Sequence, residues 1–537
     1  MQKKWAWALG ASAVVAIGVG VATFGYARYG GQINAKGVDW RAPAAYLATP
    51  SLTGLSRDLI KAPVLRELLT EDFVFYYEAH EDRLGVAGAI KRVAFEHETT
   101  FTDDLLALVL DQPAEVALWA DDRGAARDWA LAMSRNALAK VIQGVGAIAA
   151  NDKQLSLVAE VPLAAFGLQK VPVYALTVSP RRTLAIASRG NRVVVLSDPG
   201  LLFDNERRAD PEAAKVLAQL LSGDEGEQGV WHRHFGLGAP GAQHSLVASG
   251  PLLALGYHRF MPSLQALRVE VAPGGASLRS WIRQGAGWPA SPWAALPAQP
   301  AACSVLPVDW TVARTVLGAD AGDAASALKQ MAESFDGPAA VCWYGQSQLH
   351  TPLMVAHAKG PAPSAEVQEA FMRWWLPRGT AWQSGDKAAD IAAPYGARKL
   401  DDASGYRAAF RRAGDWWLFS PDEALVSRAE DAIARRYPSV ADTTAGASPV
   451  AVAAPAQMAE LFKRETLAVL PREQGGMRQA AETQLLPRLA DFGKLPAAQA
   501  VPQGKPDAQG WVALDWRPLA ANAPASPKST SPTPGTP

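Results

Sequence analysis

Four of the eight histidines in this 537-residue chain lie between His232 and His258, and they are the first residues whose types and spacing suggest chemistry. In WHRHF, His232 and His234 stand two apart, so on a strand they would share one face. Imidazoles placed in that way can bind zinc or copper, with His244 or His258 as a third ligand. The competing reading is that they hydrogen-bond within a sheet or loop, since no carboxylate or cysteine sits at a recognisable metal spacing. Ser326-Ala-Leu-Lys329 matches S-x-x-K, in which a lysine one helical turn away activates a serine. The SDN-like and KTG elements that complete such a site are absent from the sequence, and so is a G-x-S-x-G elbow.

The other chemistry-bearing types are thinner. Two cysteines, Cys303 and Cys342, can form a bridge in an oxidising compartment or remain buried thiols. The 18 tryptophans include two adjacent pairs, Trp374-Trp375 and Trp416-Trp417. An exposed indole could stack on a sugar or a partner, but neighbours on a strand face opposite ways, so one of each pair belongs to a core. The acidic pairs Glu71-Asp72, Asp103-Asp104 and Asp121-Asp122 stand at element ends, where capping and solvation account for them. No phosphate loop or dinucleotide fingerprint is present, and no cofactor is expected. Lysine plus arginine equals aspartate plus glutamate, 52 each, which argues against a nucleic-acid partner.

These residues need elements to position them. The sequence divides into a stub and anchor at 1–30, a first domain at 31–284, a Pro/Ala-rich linker at 285–302, a second domain at 303–520 and a Pro/Ser/Thr-rich tail at 521–537. The two halves repeat a pattern. LAIASRGNRVVVLSDPGLL (Leu184–Leu202) and YRAAFRRAGDWWLFSPDEAL (Tyr406–Leu425) each read as strand, tight turn, strand and then helix, with Ser197 or Ser420 as cap. SLVASGPLLALGYHRF and PVAVAAPAQMAELFKR each read as a strand followed by a helix. RDLIKAPVLRELL with FVFYYE matches the helices and the strand AAVCWYG of the second half. The expected fold is α+β: an N-terminal transmembrane helix, then two similar, duplicated domains, each a mainly antiparallel sheet with helices on one face.

The anchor is Trp5 to Tyr26, an uncharged apolar run preceded by Lys3 and Lys4. It has the roughly 20 residues needed to span a bilayer, and it is longer than the core of a cleaved signal. Tyr26 and Tyr29 read as interfacial aromatics. The expected location is a bacterial inner membrane, single pass, with the N-terminus inside and the bulk of the chain in the periplasm.

The segment SLTGLSRDLIKAPVLRELLTEDFVFYYE (Ser51–Glu78), with WHRHFGLG and HSLVASGPLLALGYHRF after it, resembles an uncharacterised family of bacterial envelope proteins, domain of unknown function 2138. The repeated strand–Ser–Asp/Pro–helix pattern is also similar to a second uncharacterised bacterial group built from duplicated halves. The first resemblance implies an exported or single-pass protein and brings no catalytic residues with it. Its gene neighbourhood implies an alpha-2-macroglobulin-like protease trap as partner. The function expected is therefore a membrane-anchored binding or scaffold protein. The alternative is a periplasmic enzyme using the histidines as metal ligands or Ser326 as nucleophile.

Overall fold

The computed structural model describes residues 29–520 except 52–53, 56–57, 59–111, 122–125, 135–154, 164–166, 168, 180–181, 223–228, 238–242, 255–256, 276, 286–291, 321–324, 350, 376–381, 385–386, 390–407, 470–477 and 480. The anchor, most of RDLIKAPVLRELL, FVFYYE, Glu71-Asp72, Asp103-Asp104 and the tail lie outside the described residues. Among those residues no helix is long and apolar enough to cross a membrane. The chain forms two units. The first comprises residues up to His258 with Leu264–Gly285 and Lys505–Ala513, and the second comprises Arg259–Ser263, Ala286–Gly504 and the remainder.

Unit 1 is built on strands β1 (Ala45–Thr49), β2 (Ala114–Ala120), β3 (Ala126–Ser134), β4 (Leu155–Leu163), β5 (Gln169–Ser179), β6 (Arg182–Arg189), β7 (Arg192–Leu196), β8 (His244–Ser249), β9 (Leu264–Val271) and β10 (Leu278–Gln284). They lie in the order β4-β5-β6-β7-β3-β2-β1-β8-β9-β10, and every neighbouring pair is antiparallel. The β6–β7 hairpin closes through Gly190 at φ +54°, a left-handed position that a side chain would strain.

The strands β6 and β7 are apolar at successive positions because both of their faces are buried. Val194 and Leu196 join a core with the helix Pro211–Ser222, while Val193 and Val195 join a second cluster with Ile186 and Met133.

Unit 2 uses β11 (Pro300–Leu306), β12 (Phe335–Tyr344), β13 (Leu353–Ala358), β14 (Trp382–Ser384), β15 (Lys387–Ala389), β16 (Ala408–Ala413), β17 (Trp416–Ser420), β18 (Ala451–Ala453) and β19 (Ala498–Gln503); the last strand, β20 (Trp511–Pro518), has its first three residues in unit 1 and the rest in unit 2. Here the order is β15-β14-β16-β17-β13-β12-β11-β18-β19, with β14–β16 parallel and the other pairings antiparallel. Its β16–β17 hairpin turns at Gly414, φ +55°.

Helices pack on both faces of this sheet, not on one. Leu425, Val426 and Ala429 of the helix Glu423–Ile433 lie against Leu418 and Val355. Met331 and Met372, from the helices Ala325–Glu333 and Ala365–Trp375, lie against Trp417 and Phe410. A strand such as WWLFS, covered on both sides, has no polar face to display.

Three further expectations need correction. The stretch 285–302 is not a linker throughout: from Trp293 it is packed into unit 2. Trp293 and Leu296 are buried in the unit 2 core, and the Trp293 indole donates to Pro449 O at 3.0 Å. Its proline and alanine content disguises two large apolar anchors. Ser197 and Ser420 do not cap the helices that follow them. The caps are Asp198, accepting from Gly200 N, and Asp422, accepting from Ala424 N. Ser197 is drawn instead to Trp129 N of β3, at 2.9 Å. Finally, Tyr29 is not a free ring beyond an anchor, because it packs on the unit 1 core.

Candidate functional site

WHRHF is a short helix, Val230–His234, and not a strand, so His232 and His234 do not share a face. Each histidine has its own structural partner. His232 is buried, with Nδ1 3.5 Å from the Tyr46 hydroxyl. That hydroxyl donates to Glu115 Oε2 at 2.9 Å. Burial first, then the Glu115 charge and hydrogen bond, hold the Tyr46 phenol far above its ordinary value against the opposing pull of Arg192. Tyr46 is therefore a fixed donor and cannot serve as a base near neutrality.

His244, on β8, is 1% exposed and engaged at both ring nitrogens. Nδ1 lies 2.7 Å from Thr49 Oγ1 at the end of β1, and Nε2 lies 3.0 Å from Asp58 Oδ2. The hydroxyl–imidazole–carboxylate order resembles a nucleophile triad, but Thr49 is buried and its hydroxyl also donates to Ser51 O at 2.7 Å. The relay therefore fastens the chain leaving β1 to β8. His258 Nε2 donates to Leu264 O at 3.0 Å. Among the described residues, no group of three or more His, Cys, Asp or Glu could hold a metal ion.

Ser326 stands on the exposed side of the helix Ala325–Glu333, and its Oγ accepts from Gln330 Nε2 at 3.3 Å. Cys303 and Cys342 are bonded to each other as a directly opposed pair on β11 and β12, both buried.

The tryptophans act as pins. Trp40 donates its indole N–H to Leu201 O, Trp119 to Asp39 O, Trp231 to Trp40 O and Trp511 to Phe235 O. Trp417 donates to Ser334 O in unit 2. Each indole couples a large apolar body to a backbone acceptor, so the ring is held in place by a hydrogen bond as well as by packing. Trp416 and Trp417 face opposite ways on β17, with Trp417 in the core and Trp416 against His357. Trp374-Trp375 end a helix, where Trp374 packs near Leu328 and Ala332.

One polar pair was not visible in the sequence. His357 on β13 and Asp336 on β12 are cross-strand partners beside an irregularity in the register, with Nδ1 2.5 Å from Asp336 Oδ1. Both side chains are partly exposed, and the Trp416 ring meets the imidazole edge-on at 5.5 Å. The carboxylate at Nδ1 fixes the orientation of the imidazole ring. The 21-residue separation hides the pair, and only strand register brings it together.

A family model described as "Uncharacterized protein conserved in bacteria (DUF2138)" matches residues 6–374 and 386–518. The chain belongs to this family. A relative, "Uncharacterized protein YfaA" of Escherichia coli (strain K12), is 29% identical over 521 residues, covering 90% of this chain and 91% of its own. Two solved structures are also similar in part. Crystal form IV of TP0453 has a TM-score of 0.21 at 10% identity, covering 45% of this chain and 77% of that one. Crystal form III has a TM-score of 0.19 at 8% identity, covering 72% and 94%. At such TM-scores the likeness carries no argument about the fold.

Of the four histidines in this DUF2138 member, His234 gives a pH prediction. Burial first, and then the Arg283 charge, hold its imidazole below the ordinary 6.5, while Asp39 pulls the other way. The unfolded chain therefore takes up this proton at a higher pH than the folded chain does. Stability from this group is present above about pH 6.5 and declines as pH falls through that value. His234→Asn should flatten the acid-side fall of the urea midpoint between about pH 7.5 and 5.5. An unchanged slope would show that other groups dominate it.

Proposed function

We propose that this chain is a membrane-anchored binding or scaffold protein of the bacterial envelope, with a body that arose by duplication. The observation that carries the reading is a strand order common to the two units. Unit 1 contains β6-β7-β3-β2-β1-β8-β9, and unit 2 contains β16-β17-β13-β12-β11-β18-β19. The hairpins β6–β7 and β16–β17 also turn through a left-handed glycine at the same place. Seven strands in one non-sequential order are hard to reach twice by chance, since most sheets join sequential neighbours.

The compartment is supported by the buried Cys303–Cys342 bridge, which persists where thiols are kept oxidised. The anchor rests on the apolar run Trp5–Tyr26. The polar clusters of unit 1 are consumed in holding its strands together, which suits a body that presents surface rather than turns over substrate.

The partner under test is an alpha-2-macroglobulin-like protease trap. Chemical crosslinking in intact cells, followed by purification through the C-terminal tail, should recover that trap at near-stoichiometric yield. Recovery of abundant membrane proteins alone, at the level seen with an unrelated anchored control, would overturn the partnership.

A further inference from the structure

The chain leaving the apolar run is bound to unit 1 almost at once. Tyr29 N–H donates to Leu157 O of β4 at 2.9 Å, and the Arg207 guanidinium donates to Tyr29 O. The Tyr29 ring folds over Gly31, where a Cβ would meet the Tyr29 hydroxyl oxygen at 2.3 Å and oblige the ring to shift. Ile33 is buried in the unit 1 core. Lys36 N–H donates to Gly200 O at 2.8 Å, and its ammonium lies 3.5 Å from Asp198 and 3.9 Å from Asp128. A Cβ on Gly200 would stand 2.0 Å from the Asn34 carbonyl oxygen, so backbone lies directly on backbone there. Trp40 then pins its indole to Leu201 O. Residues 29–40 are thus a fastened strap and not a linker.

Three residue steps, through Ala27 and Arg28, lead from Tyr26, the last of the apolar run, to Tyr29. Fully extended, they reach at most about 11 Å. The headgroup layer on each side of a bilayer is itself roughly 5–8 Å deep, from a total thickness of about 40–45 Å around a core of about 30 Å. A body fixed at Tyr29 therefore stands at most roughly 3–6 Å beyond that layer.

We infer that the β4 edge of unit 1, where Leu157 receives Tyr29, rests on the phospholipid headgroups of the membrane that residues 5–26 enter. The inference depends on the anchor reading given above. It adds that the anchor is rigidly coupled: the membrane is a surface against which unit 1 is oriented, not a distant tether point. The ligand class is the phospholipid headgroup, and the contact area is centred on Leu157, Arg207 and the exposed Glu160 of β4.

The test uses the full chain carrying Glu160→Cys, labelled with a fluorophore and reconstituted in phosphatidylethanolamine/phosphatidylglycerol vesicles that contain a nitroxide-headgroup lipid. Strong quenching is expected. A second form carries 20 Gly/Ser residues inserted between Arg28 and Tyr29, which adds a root-mean-square reach of about 25 Å without altering any packed residue. Its quenching should fall several-fold, while its near-UV circular dichroism stays the same. If the protein floats with the vesicles but Glu160→Cys is equally unquenched in both forms, the headgroup contact is wrong and the anchor stands. Equal strong quenching in both forms would show that the strap does not set the contact. If the protein does not float at all, the anchor reading itself fails.

Discussion

Replacing Trp231 by alanine is expected to destabilise unit 1 by about 4 kcal/mol, as Trp-to-Ala changes in cores commonly do. Trp231 is fully buried and lies 6.1 Å from Trp119 and 6.3 Å from Tyr46, ring centre to ring centre. Its indole N–H donates to Trp40 O at 2.9 Å, across 191 residues of sequence. It stands on a helix of only five residues, which is too short to persist without that packing. The loss should appear as faster hydrogen exchange at β1, β2 and β8, which bear or adjoin the residues that Trp231 touches. Trp231→Phe keeps most of the apolar contact and leaves the Trp40 carbonyl without its donor, so its cost should be smaller, about 1–3 kcal/mol. If the rise in exchange with alanine stayed within residues 230–235, Trp231 would be filling space without holding the sheet.

The second large effect belongs to the disulfide. Cys303 and Cys342 close a loop of 39 residues that contains the helices Trp310–Asp320 and Ala325–Glu333. The chain-entropy model gives about 4 kcal/mol for a loop of that size. The double change Cys303→Ala and Cys342→Ala should lower the stability of unit 2 by about that amount and speed exchange along β11, β12 and β13. Alanine is the informative replacement, because both sulfurs lie among Val305, Leu353 and Leu418, where a serine hydroxyl would be buried without a partner. Thiol titration of the denatured, unreduced protein from its native compartment should find no free thiol. Two thiols would remove the support for an oxidising location.

The sequence carried the local elements well where one physical rule sufficed. The hairpins β6–β7 and β16–β17 were legible because apolar strands flank a glycine turn, and the helices Trp310–Asp320 and Ala325–Glu333 because their apolar residues recur at helical spacing. It misled where short segments had no period to read. WHRHF belongs to a five-residue helix, Val230–His234, held by one tryptophan, and the stretch 285–302 is folded from Trp293 because two large side chains outweigh its prolines. The caps were misassigned between adjacent polar residues, Ser197 against Asp198 and Ser420 against Asp422. The deciding factor, in the first case a neighbouring strand's N–H competing for the serine, is not local.

By itself, the sequence determined the α+β class, the glycine-turned hairpins β6–β7 and β16–β17 and the pair of cysteines available for a bridge. These depend on periodicity, turn chemistry and composition, which are properties of neighbouring residues. Only the tertiary structure decided where the histidines go. His232, His234, His244 and His258 lie close in sequence, yet each meets a different partner, because a helix, a strand and a 3-10 turn point them apart. It alone brought Asp336 to His357, paired Cys303 with Cys342 across β11 and β12, and fastened Tyr29 to Leu157. Such contacts are set by strand register and by which face a core claims, and neither is encoded within any one window of sequence.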